Sequence, residues 1–160
     1  MDCKKVLFLL RHGEAELGFG PLQDFERSLS EKGKNQLNRL ARELFKLGVE
    51  FDQMVSSSAK RTLETAGIFS SILTCKKSDE LPELYEADPK IILEVINRTA
   101  ADIHSLILIG HNPGISAVAT FLSGEPYLIM KPGMLVKLVI YQEDWAAVGQ
   151  NTASLIEIMQ

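Results

Sequence analysis

Residues 5–13, KVLFLLRHG, place an arginine, a histidine and a glycine directly behind a run of apolar residues. The run Val6–Leu10 contains no polar residue, a pattern typical of a strand that is buried on both faces. We therefore predict a strand over 4–10 that ends in front of Arg11 and His12. In a parallel sheet, ligands bind just outside the carboxyl ends of the strands, so these two side chains are candidates for a binding site.

Strand and helix patterns alternate along the rest of the chain. Short strands are predicted over 53–57, 76–81 and 105–109. The predicted helices lie between strands, and their N-terminal caps are Ser30, Ser58, Asp88 and Asn112, the last two followed by proline. The apolar face of the first helix is predicted to comprise Leu37, Leu40, Ala41, Leu44 and Phe45, and this helix ends at Gly48.

The C-terminal part has a different pattern. Segments 134–141 and 152–159 alternate in polarity around a polar loop, which indicates an antiparallel ribbon at one edge of the sheet. Strand–helix alternation favours an α/β fold. The sequence therefore predicts one three-layer domain over 1–160, with a mainly parallel central sheet, flanking helices and an antiparallel C-terminal edge ribbon.

Composition excludes several classes of protein. The chain has 160 residues, of which 46% are apolar and 24% charged, as in a folded globular domain. The net charge of −4 and the absence of a basic run argue against nucleic-acid binding. The apolar runs are too short to span a bilayer, and no signal-peptide pattern is present, so we expect a cytoplasmic protein. Cys3 and Cys75 lack metal-ligand spacing and are expected to be inert. The oligomeric state is not indicated.

Three strand ends carry polar side chains that can meet at one edge of the sheet. Arg11 and His12 follow the first strand, Arg61 follows the second, and His111 follows the strand at 105–109. Arg61 and His111 also lie near helix starts, where free N–H groups and the helix dipole favour anions. Gly13 and Gly110 would let the backbone approach a bound group. The sequence therefore predicts an anion site.

The residue types indicate which anion. An arginine offers a fixed fork of donors that matches phosphate oxygens, and it stays charged. Arg11 and Arg61 together match the charge of roughly −1.5 to −2 on a phosphate monoester at neutral pH. Histidine adds a nucleophile, because its usual pKa of about 6.5 leaves much of the imidazole neutral at pH 7. These residues predict phosphoryl transfer through a phosphohistidine.

Four segments also carry a family resemblance. LLRHGEA (9–15), DFERSLSEKGKNQ (24–36), VSSSAKRTLETA (55–66) and ILIGHNPGIS (107–116) resemble, in this order, the successive blocks of the histidine phosphatase superfamily, in particular its short SixA-type phosphohistidine phosphatases. The resemblance extends from the first strand to Ser123. It implies a phosphoglycerate mutase-like fold, His12 as the nucleophile, a pocket completed by Arg11, Arg61 and His111, and no metal or other cofactor.

The acid that protonates the leaving group is less well defined. Larger members of the family carry a glutamate after the third strand, and we favour Glu83, which follows the Leu-Pro step at the end of the strand at 76–81. Glu86 and Asp88 are the alternatives. The short branch departs from the family here and can do without a dedicated acid, since phosphohistidine is intrinsically labile.

Several other residues allow two readings. Arg27 either reaches the outer oxygens of the phosphate or pairs with Asp24 or Glu26. Gly13 and Asn112 are included among the expected substrate-binding residues. The side chains expected to have structural or solvated roles are Glu14, Ser57, Ser58, Lys60, His104 and Lys131.

Three functions remain open from the sequence. The favoured one is removal of phosphate from a phosphohistidine on a signalling protein of the histidine-containing phosphotransfer type, because the segment after Glu83 is too short to form a large lid over the pocket. The second is hydrolysis of a small sugar or nucleoside phosphate. The third is a module that binds phosphate without turnover; the presence of both His12 and His111 favours an enzyme over this module.

Overall fold

The computed structural model describes residues 4–18 and 20–160. Its strands are β1 (Lys5–Arg11), β2 (Phe51–Ser56), β3 (Cys75–Glu80), β4 (Ser105–Gly110), β5 (Leu135–Ile140) and β6 (Ala153–Met159). Its α-helices are α1 (Pro21–Phe25), α2 (Glu31–Lys46), α3 (Lys60–Ile72), α4 (Pro89–Asn97) and α5 (Gly114–Ser123). Two short 3₁₀ helices cover Pro82–Leu84 and Trp145–Ala147.

One six-stranded sheet organises the molecule, in the order β3-β2-β4-β1-β5-β6. Strands β1 to β4 are parallel, whereas β5 is antiparallel to β1 and β6 is antiparallel to β5. This confirms the predicted parallel sheet with an antiparallel C-terminal ribbon. In the register, Arg11 lies opposite Gly110, and Ser56 lies opposite Ile109. The loops that follow β1, β2 and β4 therefore leave the sheet side by side.

The core lies on both faces of the sheet, as the unbroken apolar run in β1 predicts. Leu7 and Leu9 belong to the core that contains α4, α5 and the buried Trp145. Phe8 and Leu10 belong to the opposite core, which contains buried residues of α2 and α3. Consecutive residues of one strand thus enter different cores, because side chains alternate across a strand. The result is the predicted three-layer α/β domain.

Two of the four predicted helix caps are confirmed. The Ser30 hydroxyl accepts a hydrogen bond from the Gly33 N–H, and the Asp88 carboxylate accepts one from the Ile91 N–H. The prediction for Ser58 is wrong, because α3 begins one residue later and its capping position is Ala59. The Ser58 hydroxyl is buried and has no hydrogen-bond partner in the described part of the chain.

The prediction for Asn112 as a cap is also wrong. Helix α5 is preceded by Pro113, and the Asn112 side chain instead donates to the Met130 carbonyl and accepts from the Ser116 hydroxyl. The predicted apolar face of α2 is correct for its first four residues and wrong for Phe45, which is 65% exposed near the end of the helix.

None of the described helices has the length and apolarity that crossing a membrane requires. Cys3 lies outside the described residues, and Cys75 is a free, partly exposed thiol.

Candidate active site

A pocket of about 360 Å³ opens at the carboxyl ends of β1 and β4, beside the start of α3. The structure brings together all four residues that the sequence predicts at its centre. The lining residues are Arg11, His12, Glu14, Ala15, Asp24, Arg27, Arg61, Glu86, His111, Asn112 and Pro132. Three arginines in one small cavity supply donors that suit an anion, and the carboxylates of Glu14, Asp24 and Glu86 lie beside them.

His12 is held with one ring nitrogen facing the arginines. Its Nδ1 lies 2.7 Å from the Gly13 carbonyl oxygen, which can only accept, so Nδ1 carries the proton. Its Nε2 accepts a hydrogen bond from Arg61 Nε at 3.3 Å and is therefore the unprotonated nitrogen of the ring. Burial, together with the nearby arginines, lowers the pKa of His12 to about 4, so the ring is neutral at pH 7. A neutral, oriented imidazole is a nucleophile.

A hydrogen bond from α3 supports this orientation. The Gly13 N–H donates to Thr65 Oγ1 at 3.2 Å, and the Thr65 hydroxyl donates to the Arg61 carbonyl. A Cβ at Gly13 would lie 2.6 Å from Leu37 Cδ1, so any larger residue would require the Leu37 side chain of α2 to move. Gly13 thus packs against Leu37 of α2, and its close approach to a bound group stays a prediction.

His111 lies against His12 and is also neutral. The two ring centroids are 5.2 Å apart. His111 Nε2 lies 2.6 Å from the Ser57 hydroxyl, and Nδ1 lies 3.4 Å from Arg61 Nη2. Burial, together with the neighbouring His12 and Arg61, lowers the pKa of His111 to about 3. Ser57 was expected to be a turn residue, and the structure instead places its hydroxyl in direct contact with a pocket histidine.

Asp24 is the pocket residue whose importance the sequence reasoning missed. The Asp24 carbonyl and carboxylate accept hydrogen bonds from both terminal nitrogens of Arg61, at 2.7 and 3.2 Å. The carboxylate also accepts from Arg27 at 3.1 Å and from the Tyr85 hydroxyl at 2.5 Å. These contacts, Tyr85 first, lower the pKa of Asp24 to about 2. The available signal is its place in the DFERSLS segment, where the sequence indicates Asp24 only as a partner for Arg27.

Arg61 has two functional edges as a result. Its outer edge, formed by Nη1 and Nη2, contacts Asp24, while Nε and Nη2 contact the ring nitrogens of His12 and His111. A guanidinium group is planar and rigid, so fixing the outer edge also fixes the direction of the inner one. Asp24 therefore orients Arg61 toward the two histidines.

The other two arginines complete the cationic wall. Arg11 Nη1 donates to the Met130 carbonyl at 3.0 Å, and Asn112 donates to the same oxygen at 2.8 Å. Arg11 Nε is buried without a hydrogen-bond partner in the described part of the chain. Arg27 lines the pocket and pairs with Asp24, so the ion-pair reading is confirmed and contact with the outer phosphate oxygens stays a prediction. The free Arg11 donor suits an anion oxygen.

The structure does not place Glu83 in the pocket. Its carboxylate forms an ion pair with Arg98, near the end of α4, so the expectation for Glu83 as a pocket acid is wrong in position. Asp88 is used as the cap of α4. Of the three candidate acids only Glu86 lines the pocket, with a backbone φ of 50°. That conformation is uncommon for a residue other than glycine.

Glu14 also lines the pocket, contrary to the expectation of a merely solvated side chain. Its carboxylate accepts from the Ser30 hydroxyl at 3.2 Å and lies 3.7 Å from Lys32 Nζ. His104, expected to be structural, lies at the start of β4, at the opposite end of the sheet from the pocket. Within residues 4–18 and 20–160, no three His, Cys, Asp or Glu side chains are grouped as metal ligands.

The fold and the pocket together define an α/β protein whose pocket contains three arginines and two neutral histidines. The family model of the histidine phosphatase superfamily (branch 1) matches residues 7–103, more than half of the chain. The chain therefore belongs to the histidine phosphatase superfamily. This confirms the resemblance found in the sequence and supports a phosphatase.

Three solved structures are similar over nearly the whole chain. One is described as a phosphohistidine phosphatase SixA from Nakamurella multipartitia, with a TM-score of 0.85, 23% identity, and coverage of 98% of this chain and 96% of that chain. Its counterpart from Agrobacterium tumefaciens has a TM-score of 0.83, 23% identity and 98% coverage of both chains. A protein histidine phosphatase SixA complexed with tungstate has a TM-score of 0.81, 20% identity and 96% coverage of both chains.

These similarities confirm the phosphoglycerate mutase-like fold. At 23% identity or less they concern the fold alone. The comparison with curated proteins gave no match.

Proposed function

We propose that this protein is a metal-independent phosphatase that forms a covalent phosphohistidine on His12 and acts on phosphohistidine in a signalling protein. One observation carries the proposal: the unprotonated Nε2 of a buried, neutral His12 faces the arginines of the pocket. A nucleophile with a fixed lone pair and surrounding cations is what phosphoryl transfer needs, because positioning and charge neutralisation supply most of its rate.

The reaction has two steps in this pocket. In the first, His12 Nε2 attacks the phosphorus in line, a P–N bond forms, and the bond to the leaving group breaks. Arg11, Arg27 and Arg61 neutralise the charge on the phosphoryl oxygens. In the second, water attacks the phosphorus and the P–N bond to Nε2 breaks. The electron pair of that bond returns to Nε2, and inorganic phosphate leaves with both hydrogens of the water.

The position of the carboxylates favours a phosphohistidine substrate. Glu83 pairs with Arg98 outside the pocket, and Glu86 is exposed at its rim. A phosphohistidine ring that is protonated on its second nitrogen leaves as neutral imidazole, so phosphohistidine requires little help from an acid, whereas an alkyl ester requires a well-placed one. Similarity of the fold to SixA structures supports the same class of substrate. The partner would be a protein of the histidine-containing phosphotransfer type.

A small phosphate ester is the second candidate. Glu86 lines the pocket and is the one remaining candidate from the segment after β3 that could protonate an alcohol leaving group. Turnover of sugar or nucleoside phosphates that depends on Glu86 would favour this candidate over phosphohistidine.

Rapid-quench labelling tests the proposal. The protein is mixed with a phosphohistidine-bearing phosphotransfer protein or, separately, with an aryl phosphate, both labelled in the phosphate. We expect a label on His12 that is labile in acid and stable in base, and faster turnover of the protein substrate. His12→Ala should abolish both label and turnover, whereas His104→Ala, an exposed histidine at the opposite end of β4, should leave both unchanged.

Three results would contradict the proposal. Phosphate binding without label or turnover would leave the module that only binds phosphate. Faster turnover of the aryl ester than of the phosphoprotein would favour the small-molecule candidate. Loss of turnover in a chelator, with recovery on adding a divalent metal, would contradict metal independence.

A further inference from the structure

The hydroxyl groups of Ser57 and Thr62 form a fully buried chain behind His111. Both residues have 0% exposure. Ser57 Oγ lies 2.6 Å from His111 Nε2 and 2.8 Å from Thr62 Oγ1, and it accepts the Ala59 N–H at 3.2 Å. The Thr62 hydroxyl reaches the carbonyl oxygens of Ala59 and Ser57, at 2.7 and 2.9 Å. None of these hydroxyls belongs to the pocket lining.

The donors and acceptors of this chain can be assigned from Arg61. A guanidinium group only donates, so His111 Nδ1 must be the acceptor of Arg61 Nη2. The proton of the neutral His111 ring is therefore on Nε2 and is donated to Ser57. Since Ser57 Oγ also accepts from Ala59, its own proton points to Thr62, and Thr62 donates to a carbonyl oxygen. Every polar atom behind His111 then has a partner.

A bound phosphoryl group fits this arrangement only if His111 Nδ1 carries a proton. The oxygens of a phosphoryl dianion are acceptors, and they would replace His12 Nε2 and His111 Nδ1 as partners of Arg61. For His12 this is productive, because the Nε2 lone pair is then free to attack. For His111 it leaves the Nδ1 lone pair against a phosphoryl oxygen, and two acceptors repel each other unless a proton lies between them.

We propose that a phosphoryl group enters this pocket together with one proton from solvent, held at His111 Nδ1, and that Ser57 is the positioning residue that makes this uptake possible. The inference rests on the proposed function, because it concerns the same pocket. With Nε2–H already donated to Ser57, the ring that gains a proton at Nδ1 is an imidazolium with both N–H groups satisfied. Its new bond to the phosphoryl oxygen is charge-assisted and therefore strong.

The charges around His111 are consistent with this uptake. Burial and the cations keep its pKa at about 3 in the free protein, so the proton is absent at neutral pH. The charged groups that share the pocket with it are the cations Arg11, Arg27 and Arg61 and the carboxylates Glu14, Asp24 and Glu86. The rings of His12 and Tyr85 contact its face, at centroid distances of 5.2 and 5.5 Å. A dianion adds two negative charges to this set and raises the pKa of His111.

Calorimetric titration with tungstate tests the inference. Tungstate is a phosphoryl-like dianion that carries no proton at neutral pH, so any proton uptake comes from the protein. Titrations in two buffers with different ionisation enthalpies give the number of protons bound. We expect about one proton per tungstate at neutral pH, and an affinity that falls about tenfold for each unit of pH increase. In ¹⁵N NMR spectra, His111 Nδ1 should change from unprotonated to protonated on binding.

Substitutions assign the role of Ser57. In Ser57→Cys, which keeps nearly the same volume but offers a weak acceptor, we expect less than half of the proton uptake and about tenfold weaker tungstate binding. Ser58→Ala is the matched control, because the neighbouring Ser58 hydroxyl has no partner in the described residues; both quantities should equal those of the unmodified protein.

The outcomes separate this inference from the proposed function. Labelling of His12 and tungstate binding without proton uptake would overturn the inference and leave the proposed function intact. Full proton uptake in Ser57→Cys would overturn the role of Ser57. Absence of both label and tungstate binding would overturn the proposed function and the inference with it. The titration and NMR spectra of the unmodified protein decide on proton uptake even if a Ser57 variant does not fold.

Discussion

The two pocket histidines are buried, and hydrogen bonds fix the orientation of both rings. Each has less than a tenth of its surface exposed, and each has one ring nitrogen fixed by a partner outside the cationic wall: the Gly13 carbonyl for His12 and the Ser57 hydroxyl for His111. Charged imidazolium is disfavoured by burial and by the arginines. Neutrality of both rings is therefore a property of the folded state, and it links the stability of the protein to pH.

Stability should fall as the solution is acidified. The pKa is lowered to about 4 for His12 and about 3 for His111, against about 6.5 in an unfolded chain. Below pH 6.5 the unfolded chain therefore binds more protons than the folded one, so the free energy of unfolding decreases until the folded-state pKa values are reached. Between pH 7 and pH 5 we expect a loss on the order of 2 kcal/mol for each histidine.

Urea denaturation at several pH values measures this effect. The double variant His12→Gln and His111→Gln should lose much less stability over the same range, because glutamine does not titrate. The pKa of Asp24 is lowered to about 2, so its contribution to the free energy of unfolding is lost only below this pH range. It therefore does not affect the comparison between the double variant and the unmodified protein. Equal pH dependence in the double variant and the unmodified protein would show that the histidines are not responsible.

Among the secondary-structure elements, the start of α5 is fitted most tightly to the pocket. Gly114 is its first residue and lies against the Ala87 carbonyl, in the segment that also carries Tyr85 and Glu86. A Cβ at Gly114 would lie 2.1 Å from the Ala87 oxygen and 3.0 Å from Ile92 Cδ1. The helix can approach this segment only with glycine at that position.

The consequence can be measured with two glycine variants. Gly114→Ala should decrease the free energy of unfolding by about 1–3 kcal/mol, because the backbone of the 85–88 segment must move, and it should also lower kcat/KM. Gly67→Ala in the exposed middle of α3, where a Cβ would meet nothing within 4 Å, should instead increase stability by about 0.5–1 kcal/mol. A stable, fully active Gly114→Ala protein would contradict the close fit.

The whole molecule is held together by two apolar cores that share one sheet. Trp145 fills the core on the α4 and α5 side: it is fully buried, and its indole N–H donates to the Ile103 carbonyl at 2.7 Å. Lys5 Nζ lies 5.5 Å from the centre of its ring, from the start of β1. One side chain thus connects the C-terminal segment to the strand that leads to His12.

Truncation of this tryptophan should affect the whole fold. We expect Trp145→Ala to reduce the free energy of unfolding by about 3–5 kcal/mol, a large share of the stability of a domain of this size. Leu17→Ala, at a leucine that is 88% exposed, should change it by less than about 0.5 kcal/mol. Far-UV circular dichroism during urea denaturation measures both, and a loss below 1 kcal/mol for Trp145→Ala would contradict the role of this core.

The sequence alone determined the strands, the order of the layers and the four central pocket residues. These features follow from local rules: an unbroken apolar run such as Val6–Leu10 requires burial on both faces, and side chains that follow parallel strands meet at one edge. Arg11, His12, Arg61 and His111 could therefore be brought together without knowledge of the order of the strands.

Only the tertiary structure decided how those residues are oriented and which carboxylates accompany them. Asp24 reaches Arg61 from a five-residue helix, and Ser57 reaches His111 across a sequence separation of 54 residues, so neither contact follows from local spacing. Glu83 illustrates the same limit, because its direction depends on Arg98 at the end of α4. The direction of a side chain outside regular strands and helices depends on packing between segments that are distant in the sequence. The residues that determine it are therefore spread over the whole chain.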